Sequence, residues 1–198
     1  MKKILLLLII FTTGCIKYTD LGDLSIIKSI GISYHNSYSV YVMVYDDIKK
    51  DNEPKTKIIH ANGKNLDEVF KKIKLLANKE IFLSHIDLLI LDENLNDNNY
   101  NEIINYFIMN KNFRNDFLCI SSHNTKNILE NSNYNEIEDY INSNKEDKNI
   151  INITFDELAD NYLFNKTFTI SMIDYNKAIN YLGNYHYNHS KLERINNE

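Results

Sequence analysis

Ser84-His85-Ile86-Asp87 sets a hydroxyl, an imidazole and a carboxylate within four positions. Those are the residue types of a hydrolytic triad, in which a carboxylate orients an imidazole that takes the proton of an attacking hydroxyl. The spacing works against that chemistry. Triads assemble from distant segments. In an extended strand His85 and Asp87 share a face and Ser84 points away from both, and no G-x-S-x-G elbow surrounds Ser84. A capping serine and a packed histidine at a strand start account for the same residues. His186 and His189 stand three apart, but the six histidines show no metal-ligand spacing with carboxylates, and no H-E-x-x-H pair is present. Glycine loops for phosphate and EF-hand loops are also missing. The expectation is a chain with no catalytic residue, no cofactor and no metal site.

The two cysteines call for different chemistry. Cys119 lies in the apolar run Phe117-Leu118-Cys119-Ile120 and reads as a buried, inert thiol. Cys15 closes the stretch KKILLLLIIFTTGC, Lys2 to Cys15. Two lysines, an unbroken apolar run from Ile4 to Phe11 and then Thr12-Thr13-Gly14 follow the order of a secretory signal peptide. The run is too short to cross a bilayer, which takes ~20 residues. A cysteine directly after the small residues looks like a bacterial lipobox, with residues 1–14 as the leader and Cys15 as the lipidated first residue of the mature protein. Thr12 stands where lipoboxes prefer Leu. An ordinary signal peptide with an incidental cysteine, or a short buried helix, would use the same residues. A diacylglycerol anchor with palmitate-like chains supplies two-chain attachment, at about 0.8 kcal/mol per buried CH₂.

Residues 15–198 suit one domain. A hydrophobic content of 43% and an aromatic content of 12% suffice for a packed core. The formal net charge is −5, and it becomes −7 when Lys2 and Lys3 leave with the leader. An acidic surface argues against nucleic acid and against polybasic attachment to anionic lipid. With Cys15 lipidated, Cys119 has no partner for an intramolecular disulfide. Among the 14 tyrosines, Tyr41 and Tyr45 alternate together while Tyr38 goes with residues 40 and 42, so they read as sheet residues rather than a stacking platform.

Periodicity gives the elements. Residues 28–34 and 38–46 read as an antiparallel hairpin around His35-Asn36-Ser37, with Thr56 to Ala61 as a third strand. Asn65 and Glu68 form a capping-box pattern ahead of a helix to about Asn78. Its stripe is Leu66, Val69, Phe70, Ile73, Leu76 and Ala77, with Lys71, Lys72 and Lys74 off it. Ile86 to Leu91 is a buried strand, Asp97 to Asn110 a helix with Tyr100, Ile103, Ile104, Phe107 and Ile108 inward, and Asp116 to Ser121 another buried strand. That succession predicts a crossover and a parallel pair. Residues 124–131 and 134–143 read as short helices, and 154–164 as a helix capped by Thr154 and Glu157. Residues 167–173 read as a strand, 178–187 as one or two more, and the tail from Ser190 as frayed. The fold class is α+β: a mixed β-sheet with helices packed against it, in a single domain.

Several segments, taken in order, resemble a known family. Asp20-Leu21-Gly22-Asp23-Leu24-Ser25-Ile26-Ile27, Ile30-Gly31-Ile32-Ser33, Tyr38 to Val42 and Gly63 to Glu68 are similar to the opening of the Ger(x)C family, the C-subunit lipoproteins of spore germination receptors. Ser84 to Glu93 is the most similar stretch, and Phe113-Arg114, Cys119 to Glu130, Leu182 to Tyr187 and Lys191-Leu192 follow. Met109-Asn110 and Asp92 depart from the pattern, where Arg-Asp and Gly are usual. The resemblance is to the family's N-terminal domain; the comparable C-terminal domain that normally follows has no counterpart before Glu198.

The resemblance implies a non-enzymatic, lipid-anchored subunit of a nutrient-germinant receptor. It would sit on the outer face of the cytoplasmic, or spore inner, membrane and assemble with A- and B-type receptor subunits. Two other readings stay open: a general lipoprotein that binds a small ligand or wall component, and a lipid-anchored hydrolase using Ser84 or His85.

Overall fold

Alternating β-branched and aromatic side chains put the first folded third of the chain into a meander. In the computed structural model, which describes residues 24–47, 55–77, 79–147 and 149–195, β1 (Leu24–Tyr34) pairs antiparallel with β2 (Tyr38–Asp47), and β2 with β3 (Lys55–Gly63). Asn36 makes the tight turn in the left-handed region, at φ 64, which asparagine tolerates better than most residues. Val40, Val42 and Val44 are fully buried on one face with Tyr38, while Met43 and Tyr41 belong to the other face. The expected alternation of the tyrosines is what the strand shows.

α1 (Leu66–Leu76) starts at Asn65, whose side chain accepts from the Glu68 backbone N–H at 2.9 Å. The box is not reciprocal: the Glu68 carboxylate accepts from the backbone of Lys64 and pairs with Lys72. The chain continues through β4 (Glu80–Phe82), β5 (Leu88–Asp92), α2 (Asp97–Met109), β6 (Leu118–Ser122), α3 (Thr125–Asn131) and α4 (Tyr134–Asn144). It ends with β7 (Ile153–Thr154), α5 (Phe155–Asn165), β8 (Thr167–Tyr175), β9 (Ile179–Asn188) and β10 (Leu192–Arg194). Thr154 and Glu157 do form a full capping box at α5.

The strands of the described residues join one mixed sheet in the order β10-β9-β8-β6-β5-β1-β2-β3, with β4 beside the first residues of β1 and β7 beside β6. β1, β5, β6 and β8 run parallel at its centre, and antiparallel strands flank them. The expected parallel pair is β5 and β6. Every residue of β5 is buried, as a strand covered on both faces requires. α1, α2 and α5 cover one face, around Phe70, Phe107 and Phe155. α3 and α4 cover the other, around Ile120, Ile128 and Ile137. The α+β class with one mixed sheet is therefore what the chain adopts.

Some expectations need correction. Residues 192–194 pair with β9 instead of fraying, because Leu192 and Arg194 find register partners in Tyr187 and Tyr185. Leu76 and Ile108 lie outside the inner stripes, 54% and 43% exposed, each in the last turn of its helix.

Buried phenols give the core a pH signature. Burial pushes Tyr106 and Tyr187 up to about 12, and Tyr38, Tyr100 and Tyr162 rise as well, each mainly because the phenolate would lose its water. A folded pKa above the unfolded one gives stability that is complete below the unfolded value of ~10 and is lost as pH climbs through the folded value. Absorbance titration is expected to show exposed tyrosines ionising first, and the buried set only as the protein unfolds above that range. Ionisation of all 14 in one reversible step would contradict this burial.

Candidate functional site

The loop between β4 and β5 is pinned by two buried side chains, Leu83 and Ile86. Between them Ser84 and His85 form a turn instead of the start of a strand, since β5 begins only at Leu88. Ser84 is half-buried and His85 is exposed, its ring 5.2 Å from that of Phe82. The expected packed histidine is therefore an outward-facing one. Asp87 donates its backbone N–H to the Lys28 carbonyl, and its carboxylate takes the Lys28 ammonium at 2.5 Å. Lys28 in turn stands 5.8 and 5.5 Å from the ring centres of Tyr45 and Tyr134. Asp87 is thus engaged by Lys28, which itself stands against two aromatic rings, and not by His85.

A cleft of about 220 Å³ opens here, at the amino ends of β5 and β6 beside α4. Leu88, Phe117, Leu118, Ile137 and Ile141 supply its apolar wall. Asp87, Glu138 and the ion-paired Arg114 and Asp116 stand at its polar margin. Burial raises the Tyr134 phenol, with Asp87 and Glu138 adding to the shift. This arrangement can hold a small, partly apolar group; it does not align a nucleophile with a base.

The other residues singled out from the sequence fall elsewhere. Cys119 is fully buried on β6, and burial pushes its thiol well above the usual range, as an inert core cysteine requires. His186 shares a hydrogen bond with Thr169 at 3.1 Å, and His189 lies exposed past β9 in the left-handed region. Among the described residues no three His, Cys, Asp or Glu side chains converge as metal ligands would. Asp92 is buried at the far end of β5, where it accepts from the backbone and side chain of Asn94, and desolvation raises its carboxyl. Lys28, Tyr134 and Glu138 were not legible as a group, because 59 positions separate Lys28 from Asp87. Cys15 and residues 1–14 lie outside the described residues.

Among the described residues no helix is long and apolar enough to cross a membrane. No curated protein and no solved structure matches the chain. The family model described as the spore germination protein N-terminal domain matches residues 17–175, from two positions after Cys15 to the end of β8. The chain belongs to this spore germination protein N-terminal domain family, and its role is in spore germination.

Proposed function

We propose that this chain is the lipid-anchored, non-enzymatic subunit of a nutrient-germinant receptor. It sits on the outer face of the cytoplasmic, or spore inner, membrane and assembles with the A- and B-type membrane subunits. The observation that carries the reading is the family match, which begins at residue 17, directly after the lipobox-like order that ends at Cys15. Diacylation of Cys15 fixes the domain to the bilayer, and its work is assembly and coupling. The engagement of Asp87 by Lys28 and the outward turn of His85 support a role without turnover. The cleft beside α4 keeps a second reading in play, a lipoprotein that binds a small ligand or wall component.

The test is membrane isolation with the native chain and with Cys15→Ala. The native chain is expected in the membrane fraction, with a diacylated amino-terminal cysteine by mass spectrometry and two integral membrane subunits co-purifying. The variant is expected to lose all three properties. A mature chain with Cys15 unmodified, or a variant that stays on the membrane with the same companions, would overturn the proposal.

A further inference from the structure

Large apolar side chains are left in water at one end of the sheet. Leu75 and Leu76 close α1, Met109 closes α2 and Phe82 closes β4, and they are 78%, 54%, 81% and 38% exposed. Both helices descend from the carboxyl ends of the parallel strands to their amino ends, so their last turns finish at the same level. Lys74 of α1, Phe82 of β4 and Lys111 just past α2 line one shallow depression, which brings the three segments together. Two exposed lysines, Lys74 and Lys111, line it against one exposed carboxylate, Glu80, a locally cationic balance on a chain that is acidic overall. Exposed apolar groups gathered this way mark a contact surface. Leu, Phe and Met beside an excess of lysine is the composition of a surface that rests among phospholipid headgroups.

The course of the chain says which contact. β4 runs beside the first residues of β1, with Leu24 opposite Glu80 and Ile26 opposite Phe82. β1 therefore begins next to the apolar group. Under the anchored reading, on which this inference rests, Cys15 stands nine residues before Leu24, a span of at most roughly 30 Å when fully extended. The geometry points to the face of Leu75, Leu76, Phe82 and Met109 as a membrane-docking surface. It lies in the headgroup region of the bilayer that holds Cys15, with its lysines toward anionic lipid. Docking sets the orientation: the amino ends of the parallel strands face the bilayer, and the opposite end, with Asp92 and His123, faces away.

The chain has no tryptophan, so one introduced indole reports its own surroundings. Full-length lipidated protein carrying Leu76→Trp, Met109→Trp or, at the far end of α2, Asn98→Trp is reconstituted into phosphatidylcholine vesicles containing phosphatidylglycerol. Emission at positions 76 and 109 is expected to shift to shorter wavelength and to fall several-fold with brominated acyl chains, while position 98 reports water. The same aqueous emission at all three, with Cys15 lipidated by mass spectrometry, overturns docking and leaves the anchor standing. A bare Cys15 with protein left in the aqueous phase overturns the anchored reading, and this one with it. Protection of 76 and 109 only in membranes holding the other receptor subunits makes the face a protein interface and overturns the lipid assignment.

Discussion

Phe107→Ala is expected to destabilise the domain by about 3–5 kcal/mol, the range for emptying a phenylalanine site in a closed core. The side chain is 1% exposed. Its ring centre lies 4.7 Å from Phe113, 5.3 Å from Phe155, 5.4 Å from Phe117, 5.7 Å from Tyr106 and 6.3 Å from Phe70. Those rings come from α1, α5, the segment before β6 and α2 itself. No one of them can collapse into the gap without leaving its own neighbours, so the cavity persists and adds to the lost transfer energy. A loss of this size is a large share of the ~5–15 kcal/mol that holds a domain folded. Urea unfolding measures it as a lower midpoint at an unchanged slope. Phe164→Ala is the internal comparison: Phe164 is 84% exposed, and its removal should change stability by no more than ~0.5 kcal/mol. Equal effects at 107 and 164 would show that the aromatic cluster is not the core.

The second large effect comes from adding atoms. Gly31 lies on β1 between Tyr41 of β2 and Ile90 of β5. A Cβ there would sit 2.9 Å from Cδ1 of Leu129 and 3.1 Å from Cβ of Thr125. Both neighbours belong to α3, which presses on the sheet at this point. Gly31→Ala should therefore cost about 1–3 kcal/mol by overpacking. Leu129→Ala alone should cost about 2–5 kcal/mol by leaving a hole. Together they should cost less than their sum by roughly 0.5–3 kcal/mol, because the added methyl takes part of the vacated space. A double-mutant cycle in urea reads that coupling directly; strictly additive losses would mean that α3 does not approach β1 as described.

The elements legible in the sequence are those whose pattern is decided locally. Val40, Val42 and Val44 alternate with Tyr41 and Met43, and that period fixes β2 whatever lies around it. Tyr100, Ile103, Ile104 and Phe107 repeat at helical spacing, and Thr154 with Glu157 announces α5. β4, β7 and β10 are two or three residues long, too short for any period. β4 and β7 exist because remote strands, β1 and β6, offer their backbone groups, and β10 because the end of β9 does; no local period carries that. The same cause hides the cleft. Ser84-His85-Ile86-Asp87 drew the eye as a run of chemical types, yet Asp87 is set by Lys28 on β1. His85 turns outward because β5 starts only at Leu88, three residues beyond it. The resemblance named the family that the match over residues 17–175 shows, and was silent on which side chains meet.

The central strands have a kinetic consequence. β1–β2–β3 and β8–β9 close through short connections and can form early. β5 and β6 can be walled on both faces only when β1, β8 and the helices from both sides arrive. Pairings so distant along the chain are slow to close, since loop entropy is spent before contacts accumulate. Until they close, Leu88-Leu89-Ile90-Leu91 and Leu118-Cys119-Ile120 are naked apolar segments with free edges, the kind that self-associates. The late assembly of this middle, more than the final depth of the native well, should govern how much of the newly made chain reaches its folded form.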